Sequence, residues 1–597
     1  MQTIIKLIRP LVLIGLALTS FMASTLAQEV SIPDPNLNAV IRQALQKPNG
    51  PLTQSDLLGL TNLSAIFRNI TNVQGLEAAQ NLVSLDLQDN RITSFDFPTN
   101  LTKLTVLDLS ENRFPQLTLP GLTNLTTLRL ENGSLTNLSL SAGLTNLTSL
   151  RVGFNQLPSL TLPADMTNLS LLSAYQNQLT NLTFPPKLAG LTNVNLDGNQ
   201  LSSLTLPSGM TNLNVLVASA NQLTSFTVPA DMTNLIFLRL NDNQLTNLTL
   251  PADLRNLTTL DLDFNQLAAL NFPSNLTSLG FLHLRANLFT NFNLPAELTA
   301  LTFLDLSTNQ LTNITLPAGH KQLSVLALSG NEFTRFTLPA GLTNLSALIL
   351  GGNQLTNVVL PSDLSDLRSL DLGGNQLTAF TVPAGLTNLF GLFLNGNQLT
   401  NITLPPDLTQ LGALGYFGNP LTTLVLSEPL AATRLADELP SVRSLGASVF
   451  TYPLAVGLVS PRRTVTGAFE IGLTGPPGNY AILATTNLAA WTALATVTNQ
   501  LGSAVFTDAI SSPQKFYRAL LQGPPTNMVF VPPNTFTMGS PTNDPQGPAS
   551  NAQGVNVMRG GAYDYDNSSC RSASRFFRFA NWPDSDAGFR VVLVTGP

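Results

Sequence analysis

A period of 22 residues constrains this chain more than any other feature of its sequence. The stretch Leu370–Leu389 reads LDLGGNQLTAFTVPAGLTNL, and Leu392–Leu411 reads LFLNGNQLTNITLPPDLTQL. The shared pattern is L-x-L-x-x-N-x-L. Its Asn falls at Asn90, Asn112, Asn155, Asn177, Asn199, Asn221, Asn243, Asn265, Asn287, Asn309, Asn331, Asn353, Asn375, Asn397 and Asn419. The one gap holds LRLENGSL, where Gly133 takes the Asn place in a coil one residue short. Fifteen Asn and Gly133 mark sixteen coils, and a degenerate coil around Asn69 precedes them. No single coil can bury its own leucines, so each must lend its neighbours a core.

The two leucines of L-x-L alternate with an outward residue, which is strand periodicity. Successive strands then pair in parallel with the leucines inside. The Asn amide both donates and accepts, so it can satisfy turn backbone that no strand reaches. The Pro of LPAGLTNL ends the extended run. Leu386 and Leu389, and their equivalents, return to the core from the convex side.

From about Gly59 to Leu426 this pattern resembles the leucine-rich repeat family. The resemblance implies an α/β repeat solenoid with a parallel concave sheet. At about 4.8 Å per strand the concave sheet would run on the order of 75 Å. IPDPNLNAVIRQAL (32–45) carries a helix start at Asp34-Pro35-Asn36 and an apolar face of Leu37, Val40, Ile41, Ala44 and Leu45. It resembles the helical cap that precedes bacterial internalin-like repeats. LSEPLAATRLADELPSV after Asn419 reads as one closing helix.

The flanks give the remaining organisation. Residues 1–27, with Lys6 and Arg9 before an apolar run and Thr25-Leu26-Ala27 behind it, read as a secretory signal peptide. Residues 28–58 form the cap, 59–440 the repeats with their C-terminal cap, and 441–522 a linker and small all-β module. In that module Phe469, Ile471 and Leu473 alternate, and Trp491, Phe516 and Tyr517 are core candidates. It looks like the β modules that close many secreted proteins of environmental bacteria.

Residues 523–597 carry a second resemblance. MVFVPPNTFTMGS opens, and MRGGAYDYDNSSCRSASRFFRFANWPDSDAGFRVVL ends, like the formylglycine-generating-enzyme (sulfatase-modifying-factor) family and its nonheme-iron relatives. The matching features are Arg559-Gly560-Gly561, Arg571-Ser572-Ala573, Arg575 and Gly588-Phe589-Arg590. The family's large central body is missing between them, leaving an incomplete α+β fragment. Cys570 is the only cysteine, and this half contains no histidine. The cysteine pair of one branch and the histidine cluster of the other are both absent, so no catalytic residue, cofactor or metal is assigned.

Charged residues are only 10% of the chain and net charge is −6, which argues against a nucleic-acid partner. No later segment reads as a membrane helix. The outward strand positions lie four and two residues before each ladder Asn. Among them Tyr175, Arg239, Asp261, Asp263, His283 and Arg285 are the candidate ligand contacts, the last five as a charged cluster on three adjacent coils. His283 and His320, the only histidines, fall at different coil positions and do not make a metal site. The many Asn-Leu-Thr sequons read as repeat chemistry. These observations point to a secreted, non-enzymatic recognition protein for a protein or polysaccharide partner. The alternatives are a modifying enzyme whose repeats recruit substrate, and an adhesive surface component. Oligomeric state is not legible.

Overall fold

The computed structural model describes residues 29–486, 488, 490–509 and 515–522, and the backbone of two short strands, Val555–Val557 and Val592–Val594. The signal-peptide reading (1–27) lies outside the described residues. So do Cys570 and the quoted Arg and Gly signatures of the C-terminal resemblance. The two C-terminal strands pair antiparallel with each other and belong to a second unit, Gly523–Pro597.

The repeats stack as the pattern requires. A 17-stranded parallel sheet runs from Asn62–Ser64 to Ala413–Gly415. Register is one coil per step: Leu238 pairs with Leu260, and Leu260 with Leu282, and all three are fully buried. The degenerate first coil has Arg68 at the ladder position, and its amide donates to Asn90 Oδ1 of the next coil.

Each ladder Asn uses its whole amide. Asn265 Nδ2 donates to Leu240 O, Leu262 O and Asp263 O at 3.0, 3.1 and 3.2 Å. Its Oδ1 accepts from Leu245 N at 2.9 Å. One side chain thus closes its own turn and ties it to the preceding coil, with little access to water. At the short coil, a Cβ on Gly133 would stand 2.7 Å from Asn155 Oδ1. The coil that lost a residue has no room for its own ladder side chain.

Two features of the coil go beyond the sequence reading. After the ladder turn, the chain forms a second set of short parallel strands, such as Asn181–Thr183 on Ser159–Thr161. The Asn of LTNL builds a second, exposed ladder on the convex side. Asn146 Nδ2, for example, donates to Thr123 O at 2.7 Å, and Asn168 Nδ2 to Thr145 O at 2.8 Å.

The caps match in part. The N-terminal helix spans Pro35–Ala44, with Asp34 as N-cap. The other oxygen of the same carboxylate accepts from Thr71 N and Asn72 N, which fastens the cap to the first coil. Leu37, Val40 and Ile41 are buried, whereas Ala44 faces solvent, against the expected face. The closing segment is two helices, Glu428–Ala432 and Leu439–Ser444, rather than one. Pro429 and Pro440 each sit at a helix start, where the missing N–H costs nothing, and Pro440 could not lie inside a continuous helix.

Parallel stacking also runs past residue 440. Ser448–Tyr452 pairs with Thr423–Ser427, and the Tyr452 hydroxyl donates to Leu404 O at 2.6 Å. Residues 457–522 then form two antiparallel sheets. One contains Gly457–Arg463, Phe469–Thr474 and Ser503–Asp508; the other contains Thr492–Asn499, Gly478–Thr485 and Phe516–Gln522. Leu473, Tyr480, Ile482 and Phe506 are the buried centre, with Tyr517 against it. Trp491 is not in that centre; it lies beneath the Arg518 guanidinium, 4.5 Å from ring to carbon.

Candidate functional site on the concave face

Stacking in register sets the site. Arg239, Asp261, His283 and Asp305 occupy the same position on four successive strands. Asp263 and Arg285 lie two residues further along theirs. The cluster expected from sequence is therefore contiguous. Tyr175 is not part of it. Three coils away, it packs edge-on against Phe154, with ring centres 4.9 Å apart, over Gly153, whose missing Cβ makes room for the ring.

The positions read as solvent-facing are not all open. Asp263 is 7% exposed and Asp305 2%, and Asp108, Ser110, Ser173, Ser219 and Ser307 are also buried. Coils about 4.8 Å apart let longer side chains on neighbouring strands cover short ones. That covering is a tertiary effect, invisible to alternation within one strand.

The charges compensate one another locally. Arg239 Nε approaches Asp261 Oδ2 at 3.2 Å as an ion pair, although its N–H is not aimed as a hydrogen bond requires. The Arg239 guanidinium also lies 4.9 Å from the Phe237 ring centre. Asp263 Oδ1 accepts from the Arg285 backbone at 2.6 Å, and His283 Nδ1 stands 4.0 Å from Asp263 Oδ2. The His283 ring packs against Phe303 at 4.7 Å. Arg285 reaches over Phe264 at 5.7 Å, and its buried Nε has no hydrogen-bond acceptor.

Desolvation dominates the protonation states. Burial, then the charges of Asp261 and Asp305, push Asp263 up to about 8. Burial also raises Asp261, against the attraction of Arg239. Burial pulls His283 down to about 4. Near neutral pH, Asp263 and His283 are therefore both uncharged, and they lie between the Arg239–Asp261 ion pair and the Arg285 guanidinium. Among the described residues no group of three His, Cys, Asp or Glu side chains is placed to hold a metal.

Phe264 escaped the sequence reading. It occupies the position just before the ladder Asn, where the backbone is left-handed in coil after coil (φ 54° at Phe264). Gly330, Gly352, Gly374 and Gly396 fill that position in later coils. The alternation of Gly with Phe, Ala and Thr in one column was the available signal. His320, which sequence left unassigned, is buried at 1% exposure on the convex return. It stands where Leu298 and Leu342 stand one coil either side.

The BspA-type leucine-rich repeat region matches this chain in overlapping segments that together run from residue 123 to 433, over half of its 597 residues. The chain belongs to the leucine-rich repeat family. A shorter leucine-rich repeat pair matches residues 80–122. Internalin H of Listeria monocytogenes is 42% identical over 69 residues, 11% of this chain and 13% of that protein. The chain thus matches only a small part of that curated relative. The functional domain of InlJ from the same species superposes with a TM-score of 0.51 at 21% identity, over 74% of this chain and 94% of that one. That structure contains a cysteine ladder. Here, with one cysteine in the whole sequence, asparagine forms the ladder. A plant peptide hormone receptor solved with its hormone is 25% identical with a TM-score of 0.45, over 63% of this chain and 68% of that one. No described helix is long and apolar enough to cross a membrane.

Proposed function

We propose that this is a secreted recognition protein that binds a protein partner through the concave face, with the contact centred on Arg239, Asp261, Asp263, His283 and Arg285. The observation that carries this reading is the Arg285 side chain: a buried Nε donor without an acceptor, held over Phe264 beside uncharged Asp263 and His283. The half-exposed guanidinium gains when a partner brings a carboxylate or carbonyl to its outer nitrogens, because part of its desolvation cost has already been met in the free protein. Arginine and aromatic neighbours are also the residue types that anchor protein interfaces. The concave side chains differ from coil to coil while the ladder stays fixed, as a surface for one particular partner requires.

The signal-peptide reading of residues 1–27 and the likeness to internalins support export. The β strands of 457–522 would act as a spacer between the repeats and the C-terminal residues. The C-terminal fragment, with Cys570 alone and no central body, is read as a remnant without catalysis.

The test is photo-crosslinking in the source organism. His283→p-benzoylphenylalanine is compared with Asn181→p-benzoylphenylalanine on the second face. A discrete protein adduct from position 283 alone supports the reading. The same adducts from both positions, or none from 283, would overturn it.

A further inference from the structure

The small module at 457–522 holds a nucleophile and a carboxyl group in contact, with little water around them. Asp508 ends the strand Ser503–Asp508 of one sheet, and Lys515 immediately precedes the strand Phe516–Gln522 of the other. Lys515 Nζ lies 2.5 Å from Asp508 Oδ2, and the two side chains are 15% and 7% exposed. The Tyr517 hydroxyl donates to the same oxygen at 2.8 Å. The Tyr517 ring stacks on Phe469 at 5.4 Å and meets Phe506 edge-on at 6.5 Å. The Lys515 nitrogen lies 5.9 Å from the centre of that ring. Lys47 and Asp56 in the N-terminal cap also stand 2.5 Å apart, but there the side chains are 32% and 25% exposed and water reaches both.

An ion pair is a weak way to join the two sheets at this point. The buried centre of the module is Leu473, Tyr480, Ile482 and Phe506, and a core that small supplies little stability. Each buried charge costs desolvation, which the attraction between the two roughly offsets at best. The one cysteine of the chain, Cys570, lies outside the module, so no disulfide can close it. A covalent amide would remove both charges and fasten one sheet to the other.

We propose that Lys515 and Asp508 condense into an intramolecular amide bond, a self-made cross-link between the two sheets of the module. The Lys515 ammonium first passes one proton to Asp508 Oδ2, which turns the ion pair into an amine and a carboxylic acid. Burial disfavours both charges and so brings this neutral form within reach. The amine lone pair then attacks Asp508 Cγ. The Nζ–Cγ bond forms and the Cγ–Oδ2 bond breaks. Oδ2 departs as water, with the proton it received and a second one from Nζ, so no oxidant or co-reactant enters. Tyr517 already donates to the oxygen that leaves and assists its departure. Burial, then the Asp508 carboxylate, hold the Tyr517 phenol up to about 12, so it keeps that proton near neutral pH. Contact between the two reacting groups is worth an effective molarity on the order of 10⁵ M or more. Exclusion of water opposes the reverse hydrolysis. The cross-link is independent of the partner contact on the concave face.

The experiment is mass spectrometry of tryptic peptides from the full-length protein, denatured before digestion. Trypsin cuts after Arg463, Lys515 and Arg518. The linked wild type is not cut at Lys515 and yields the peptide 464–518, lighter by one water. Lys515→Arg keeps the positive charge but has no nucleophilic amine, and its peptide 464–515 is released at full mass. Cleavage of the wild type at Lys515, with 464–515 at full mass, overturns the inference. A loss of one water that leaves Lys515 cleavable, or that persists in Lys515→Arg, marks a cyclised aspartate and overturns it as well.

Discussion

Asp263 Oδ1 accepts a hydrogen bond from the Arg285 backbone amide, one coil onward, at 2.6 Å. That bond makes the carboxyl a structural tie as well as a surface group. It also competes with burial: the bond favours the charged form, but desolvation and the neighbouring Asp261 and Asp305 outweigh it, and Asp263 titrates near 8.

The raised value sets the sign of the pH dependence. An acid whose folded pKa is raised binds its proton more tightly when folded. Its contribution to stability is complete below the unfolded value and is lost as pH rises through about 8. His283, pulled down to about 4, acts oppositely: its contribution is present above its unfolded value of 6.5 and is lost on acidification. Between pH 6.5 and roughly 9 only the first effect operates in this pair. Urea midpoints of the wild type should fall across that window, by up to about 2 kcal/mol. Asp263→Asn keeps the acceptor for Arg285 N and should flatten the curve. An unchanged slope in the variant would remove Asp263 as its source.

Asn265→Ala tests the ladder. It would strand Leu245 N, which then has no acceptor, and take one of two donors from Leu240 O and Leu262 O, which keep Asn243 Nδ2 and Asn287 Nδ2. One stranded buried donor costs roughly 1–3 kcal/mol and each further lost hydrogen bond about 0.5–1.5 kcal/mol, so the loss should be about 2–4 kcal/mol. Hydrogen exchange should show it first at Leu245 and in the adjoining coils, because each coil depends on its neighbours. Protection at Leu245 equal to wild type would mean that the Asn is dispensable.

Ala220 carries the left-handed backbone at φ 49°. A Cβ there costs roughly 1–2 kcal/mol, whereas Ala→Gly in ordinary structure costs about 1 kcal/mol through the unfolded chain. Ala220→Gly should therefore be neutral or stabilising by up to about 1 kcal/mol, against the usual direction. Denaturation of the variant beside Ala347→Gly, in a concave strand, gives the comparison; equal losses at both sites would contradict the strain argument.

The repeat encodes some features of this molecule openly and hides others. Leu238, Leu260 and Leu282 declare their burial through alternation, and Asn243 and Asn265 declare the ladder by recurring every 22 residues. Those two signals gave the stacked coils, the parallel sheet and the placement of Arg239, Asp261 and His283 together. The second-face strands were hidden because N-L-T is too short to show strand periodicity beside a proline turn. The burial of Asp263 depends on side chains from adjacent coils, and no single coil records it. The pairing of Asp165 with the Gly143 amide one coil back, at 2.7 Å, needs both coils at once to be seen.

His320 is the sharpest case of a residue whose coil mates explain it. Its Nδ1 lies 3.0 Å from Pro317 O and its Nε2 3.0 Å from Pro295 O of the preceding coil. Both neighbours of the ring are acceptors, and a neutral imidazole has one N–H to give. Leucine at the equivalent position meets the same turn differently: Leu298 N donates to Pro295 O at 3.3 Å, and its side chain fills the core. His320→Leu should thus exchange one or two side-chain hydrogen bonds for apolar burial and stay within about 1 kcal/mol of the wild type. Leu342→Ala in the next coil should cost about 2–5 kcal/mol by leaving a cavity. If His320→Leu cost as much in the same urea titration, the bridge between the two proline carbonyls would be a main tie of these coils, and the core-leucine equivalence would be wrong.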